Sequence, residues 1–176
     1  MPFFSPFPSH RLSFSRKALL VLVSGILNIL VFPKFELVAL SWVAIVPMLF
    51  AIFQEARPRR AFILGVIFGL TFFSGCYYWI FSVLHEYGSL HWTTASLLFS
   101  LLVLYLSLYQ GLFAYVFAKT SFRLPVGCFL MSPFLWVATE YLRGHVLGGF
   151  PWCLTGYALV DYVNLAQFGT IAGVYG

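Results

Sequence analysis

The chain has 176 residues, of which 61% are hydrophobic, 20% aromatic and only 9% charged. A water-soluble domain carries roughly 25% charged residues, so this composition cannot cover a solvent-facing surface and makes the chain an integral membrane protein. The formal net charge of +5 does not point to nucleic acid, because eight of the ten basic residues lie in three short clusters between apolar runs: Arg11, Arg16 and Lys17; Arg57, Arg59 and Arg60; Lys119 and Arg123. That is the pattern of cytoplasmic loops.

Residues 1–17 are polar, proline-bearing and basic, and read as a cytoplasmic tail whose Phe3, Phe4, Phe7 and Phe14 rest on headgroups. No small-x-small cleavage site follows the apolar run 18–32, so it is read as a first membrane helix and not as a signal peptide. The runs 18–32 and 37–53 have 15 and 17 residues, short of the roughly 20 that cross ~30 Å. Joined through Pro33, Lys34, Phe35 and Glu36 they make a transmembrane hairpin, with Pro47 kinking the second helix. Asn28 is expected to face protein, since an unpaired amide in hydrocarbon is costly.

After the basic loop 54–60, the 24-residue run 61–84 is long enough to span. Its Gly65 and Gly69 form a GxxxG, continued by Ser74 and Gly75, which suits close helix packing. Tyr77, Tyr78 and Trp79 point to the far interface. Residues 85–92 form a polar loop. His85, Glu86 and His91 within it lack the HxxxH register of a metal site, and neither a metal nor a cofactor site is read anywhere in the chain. Run 94–118 is the strongest span, with Gln110 expected to bond a neighbouring helix. A basic loop leads to run 124–142, with Pro133 as a kink. Residues 143–164 hold Gly144, Gly148, Gly149, Pro151 and Gly156, a density that resists regular helix. Irregular backbone at membrane depth must be buried in protein or line a wet cavity. Run 165–176 begins a sixth span but is too short to complete it.

The expected fold is an all-α, multi-pass integral membrane bundle over residues 18–176, with five full spans and a truncated sixth. Eight basic residues inside against Lys34 and Arg143 outside place the N-terminus in the cytoplasm. Loops 85–92 and 143–164 then lie on the outer face.

Specific chemistry concentrates in residues 139–153, TEYLRGHVLGGFPWC. Glu140 and Arg143 are three apart and share a helix face. Two readings stay open: a mutual ion pair at the interface, or a guanidinium that grips the phosphate of an anionic lipid headgroup. Phe150, Pro151 and Trp152 fit a wedge beside an acyl chain, and Trp152 fits equally an aromatic-belt anchor. Cys76, Cys128 and Cys153 show no CxxC spacing, and their odd count argues against a disulfide framework. Each reads as a small buried hydrophobe.

Glu140-Tyr-Leu-Arg143-Gly144 followed by Gly149-Phe150-Pro151-Trp152 resembles the bacterial apolipoprotein N-acyltransferase family. So do Tyr105-Leu-Ser-Leu-Tyr109, Gly111 to Ala114, the stretch from Pro33 to Trp42 leading to Val46-Pro47, Tyr78-Trp79, and Gly173 to Gly176. The likeness runs in order over residues 18–176. It implies a bacterial inner-membrane enzyme that moves an acyl chain from a phospholipid to the N-terminal cysteine amine of a diacylated lipoprotein. Phospholipid, lipoprotein and membrane are the implied partners, with no nucleic acid and no cofactor. Glu140, Arg143, Phe150, Pro151 and Trp152 are the implied lipid- or substrate-binding residues.

The family works through a thioester on a cysteine in an extracytoplasmic nitrilase-like domain, which nothing here resembles. The chain is therefore expected to be the membrane part alone, truncated or a fragment, with no catalytic residue of its own and inactive by itself. Cys153 does not match the nucleophile's motif. The alternative is a small standalone membrane protein that binds or moves a hydrophobic solute.

Overall fold

The computed structural model describes residues 12–32, 34–160, 162–167 and 169–175. Residues 1–11 of the expected tail, with Phe3, Phe4 and Phe7, and Pro33 of the expected hairpin lie outside them. Among the described residues the secondary structure is entirely helical.

Helix α1, Phe14–Val31, begins four residues before the apolar run does. Ser13 sets that start, its Oγ accepting from the Arg16 amide at 3.4 Å, as N-capping serines do. Lys17, expected in the tail, instead lies in the first turn of α1 and is buried. Its Nζ donates to Glu55 Oε2 and to the Gln54 carbonyl, both at 2.9 Å. This ion pair ties the start of α1 to the turn that precedes the third helix.

The expected second helix over 37–53 is not continuous. A 3-10 turn, Val38–Trp42, is followed by α2, Val46–Phe53, of eight residues. Pro47 lies in the first turn of α2, where its missing N–H would have had no helical partner. It starts a helix and does not kink one. In the broken stretch the Ala44 carbonyl accepts from Ser24 Oγ of α1. Asn28 turns back on its own helix, Nδ2 donating to the Ser24 carbonyl at 2.8 Å.

Helix α3, Pro58–Cys76, also stops short of the expected 24-residue run. The chain breaks at Tyr77 (φ −110°, ψ 13°), then forms α4, Tyr78–Ser82, and a π-helical turn, Val83–Tyr87. The 30-residue α5, Trp92–Ser121, is capped by His91, whose Nδ1 accepts from the Thr93 amide at 3.4 Å. His85 Nδ1 pairs with the Leu90 carbonyl. Helix α6, Gly127–His145, contains Pro133. Proline leaves the carbonyl four residues back without its N–H, and Ser132 Oγ donates to that Phe129 carbonyl at 2.8 Å. Two single turns, α7 (Val163–Ala166) and α8 (Gly169–Ala172), and a 3-10 turn, Gly173–Tyr175, complete the described chain.

Among the described residues three helices, α1, α3 and α5, are long and apolar enough to cross a membrane. Helices α3 and α5 form the central pair, with α1 on α3, α2 on α1 and α6 on α5. The GxxxG faces α5. A Cβ on Gly65 would collide with the Gln110 backbone carbonyl, and one on Gly69 would lie 2.7 Å from Ser107 Cα. Gln110 itself departs from expectation: it is buried in this contact, but its Oε1 finds no hydrogen-bond partner among the described residues. The backbone, not the amide, makes the helix contact there. On its other side α5 leaves Leu97, Leu101, Leu104 and Leu108 exposed. Their spacing of three to four residues draws one apolar stripe along the helix.

Candidate functional site

The site forms where α6 runs out. Val146 leaves the helix in an extended conformation, and Leu147, Gly148 and Gly149 follow with φ of 53°, 88° and 74°. Three successive left-handed residues reverse the chain, and glycine at two of them relieves the steric cost. A side chain on Gly149 would also strike the Gly144 carbonyl. The reversal lays residues 150–153 back along α6, where the Phe150 amide donates to the Arg143 carbonyl at 2.8 Å.

Arg143 is 1% exposed, first among the fully buried side chains by size. Its Nη1 donates to the Trp152 carbonyl at 2.7 Å, the Phe150 carbonyl at 3.0 Å and the Tyr77 hydroxyl at 3.1 Å. Tyr77 in turn donates to the Trp152 carbonyl at 2.6 Å. The guanidinium lies over the Phe73 ring, 5.3 Å from its centroid, a cation–π contact strengthened by burial. Nη2 stands 3.9 Å from Glu140 Oε1. This is an ion pair without a close hydrogen bond, because Oε1 accepts from the Thr155 amide and Thr155 Oγ1, both at 2.9 Å. Thr155 Oγ1 accepts from Trp136 Nε1 at 2.8 Å. The two charged side chains thus hold the returning loop at two points, Arg143 before Cys153 and Glu140 after it.

What the loop presents is apolar. Pro151 and Trp152 are exposed and Phe150 is half-buried. Trp152 stacks on Trp79 of α4 (centroids 4.9 Å apart, planes at 18°), and Phe150 meets the Tyr77 ring edge-on at 5.2 Å. The break at Tyr77 therefore serves the site twice, by aiming a buried hydroxyl at Arg143 and by swinging Trp79 under Trp152. From α5, Tyr105 donates to the Val146 carbonyl at 3.3 Å and shares a 2.6 Å hydrogen bond with Tyr109. The Tyr175 hydroxyl packs near Gly144.

Beneath the loop is a cavity of about 420 Å³, lined among others by Asn28, Trp42, Leu49, Trp136, Glu140 and Leu159. A second, of about 390 Å³, is lined by residues that include Lys34, Cys76, Tyr78, Trp79 and Cys153. Cys153 has φ of 50° and is half-buried. Its thiol is held below its ordinary pKa, chiefly by a hydrogen bond from Cys76, with Arg143 and Tyr77 acting in the same direction and burial opposing them. Cys128 lies apart from both, its Sγ on the Pro125 carbonyl. Among the described residues no three His, Cys, Asp or Glu side chains come together as metal ligands.

The structure brings together all five sequence-nominated residues, Glu140, Arg143, Phe150, Pro151 and Trp152, and it turns Arg143 toward protein carbonyls. Tyr77, Thr155 and Trp136 were not nominated. Tyr77 lies 66 residues from Arg143, and no local pattern marks it, since it stands in an apolar run beside two other aromatics. Thr155 and Trp136 carry no motif either.

The comparisons with known proteins concern this same region. A family model described as the apolipoprotein N-acyltransferase N-terminal domain matches residues 24–176. The apolipoprotein N-acyltransferase of Geobacter metallireducens is 38% identical over 161 residues, covering 92% of this chain and 30% of that protein. Those of Methylococcus capsulatus (33% identical, 90% of this chain and 31% of that one) and Pasteurella multocida (29%, 88% and 29%) align similarly. The chain spans about 30% of the length of the curated relatives it matches. With the match covering most of the chain and the site's loop lying within it, the chain belongs to the apolipoprotein N-acyltransferase N-terminal domain family.

Proposed function

We infer that this chain is the lipid-holding membrane part of an apolipoprotein N-acyltransferase, the enzyme that moves an acyl chain from a phospholipid to the N-terminal amine of a diacylated lipoprotein. The observation that carries the reading is the pairing of a loop locked by buried charges with an apolar cavity below it. Exposed Pro151 and Trp152 sit at the mouth end of α6, where a lipid's glycerol region would lie. The cavity beside Trp42, Leu49 and Leu159 offers an apolar environment for a chain, and ligand sites of this kind combine apolar walls with few polar groups. Glu140 and Arg143 act on lipid through the loop, as positioning residues.

A phospholipid with a photoreactive group in its acyl tail tests this. Irradiation of the chain in bilayers should label Trp42, Leu49 or Leu159 in the cavity, and Trp152→Ala should reduce that labelling several-fold while the protein still inserts. Labelling confined to the outward stripe of Leu97, Leu101 and Leu104 would refute the reading, because those residues meet any lipid.

The same reading carries a topology of five crossings with a sixth begun after residue 165, and a cytoplasmic N-terminus in the bacterial inner membrane. Besides α1, α3 and α5, the 19-residue α6 extends about 28 Å at 1.5 Å per residue and leaves Leu130 and Phe134 exposed. The broken segment Val38–Phe53 is the remaining crossing. The basic clusters at 57–60 and 119–123 support the orientation. Reporter fusions after Gln54 and Lys119 should behave as cytoplasmic and a fusion after Tyr87 as extracytoplasmic; the opposite pattern would invert the topology.

A further inference from the structure

We propose that Cys76 and Cys153 are a disulfide-forming pair, a covalent latch between the end of α3 and the Trp152 loop. The two cysteines are 77 positions apart in sequence, yet line one cavity of about 390 Å³. The residue after Cys76, Tyr77, is hydrogen-bonded to the carbonyl of the residue before Cys153, Trp152, at 2.6 Å, and the two thiols influence each other's ionisation. Both thiols are free and half-buried, so each combines a fixed neighbour with access from the cavity. Cys128, fully buried and bonded to its own turn, is left over. That resolves the odd count: three cysteines accommodate one pair and one core residue.

The surroundings suit the first step of exchange. The thiolate is the attacking species, and nearby positive charge favours it. The Cys76 thiol, the Arg143 guanidinium and the Tyr77 hydroxyl all act on Cys153 in that sense, against its burial. Cys153 is therefore the attacking thiol and Cys76 the resolving one. The oxidant is a disulfide-bearing oxidoreductase or small disulfide. The Cys153 thiolate displaces one sulfur of that donor and forms a mixed disulfide. Cys76 then attacks Cys153 Sγ and releases the donor's second sulfur. One S–S bond breaks and one forms; two electrons and the two thiol protons leave on the donor, which ends as two thiols.

The consequence lies at the loop. Cys153 directly follows Trp152, whose carbonyl is held by Arg143 and Tyr77. A bond from Cys153 to the residue preceding Tyr77 would fix both sides of that hydrogen-bonded group. The latch would add a covalent tie to the Arg143, Tyr77 and Glu140 contacts that already hold the reduced loop with Trp152 on Trp79.

The experiment is oxidation of the purified full chain in mild detergent with glutathione disulfide, followed by alkylation of remaining thiols and peptide mass mapping. The expected product is a cross-linked peptide pair containing Cys76 and Cys153, two hydrogen atoms lighter than the reduced pair, with Cys128 unmodified. Cys128→Ser should form the same link, whereas Cys76→Ser should stop at glutathione on Cys153. Trp fluorescence should change on latching in the Cys128→Ser protein and revert on reduction. Alkylation of both Cys76 and Cys153 after oxidation, a link that involves Cys128, or glutathione on Cys153 that Cys76 never displaces would each overturn the proposal.

Discussion

Arg143→Ala is expected to destabilise the chain by about 3–5 kcal/mol, the range for removing one partner of a buried charged pair. The side chain is 1% exposed and supplies donors to two loop carbonyls and the Tyr77 hydroxyl. Without it Glu140 keeps its Thr155 bonds but loses its counter-charge, the Trp152 carbonyl keeps only Tyr77, and the Phe150 carbonyl loses its side-chain donor. An orphaned buried acceptor costs about 1–3 kcal/mol. Unfolding of the variant in mixed micelles, by titration with a denaturing surfactant, measures the loss. Arg143→Lys should recover only part of it, since an ammonium is a point charge and cannot span the acceptors as a planar guanidinium does. Adding Glu140→Gln to Arg143→Ala should restore some stability by removing the uncompensated carboxylate. A residue whose only role was to grip a lipid headgroup from the surface would give stability changes below about 0.5 kcal/mol. That outcome would sink the scaffold role assigned to Arg143.

Gly65→Val is the second large effect, expected at about 3 kcal/mol or more, at or beyond the upper end of ordinary overpacking. Its Cβ would meet the Gln110 backbone carbonyl and the Ala114 Cβ, and backbone cannot rotate aside as a side chain can. Helices α3 and α5 would have to separate along the main contact of the bundle. The damage should appear as lowered accumulation in the membrane and early unfolding in surfactant. Gly169→Ala is the control: among the described residues nothing packs within 4 Å of the place its added methyl would take, so stability should move by no more than about 0.5 kcal/mol. Equal behaviour of the two variants would mean that the GxxxG contact does not hold the bundle.

Membrane character, all-helical class, family and the grouping of the five nominated residues were legible in the chain because each rests on composition or on residues close in sequence. Nine per cent charge excludes a soluble surface whatever the fold. Glu140 and Arg143 share a face because a helix turns every 3.6 residues. The glycine density at 144–156 announced irregular backbone, and the structure has four left-handed residues there, Leu147, Gly148, Gly149 and Cys153. Helix continuity was less legible. Hydropathy counts apolar residues but does not register where the backbone breaks, so the runs 37–53 and 61–84 read as whole helices. Pro47 and Tyr77 divide or bound them for different reasons: a helix start in one case, a side chain required elsewhere in the other.

Composition and local spacing by themselves determined that the chain is a helical membrane protein, and they nominated residues 139–153 as its candidate site. Only the tertiary structure decided what Arg143 faces. The sequence left it between an ion pair and a phosphate, and the fold gives it two carbonyls, a hydroxyl 66 positions away and a distant Glu140. It also decided that Cys76 meets Cys153 and that Gln110 is buried without a partner for its Oε1 among the described residues. The physical reason is common to all three. Hydrogen-bond partners and thiol neighbours are set by how α3, α5 and α6 pack, and packing joins residues that no short window of sequence contains.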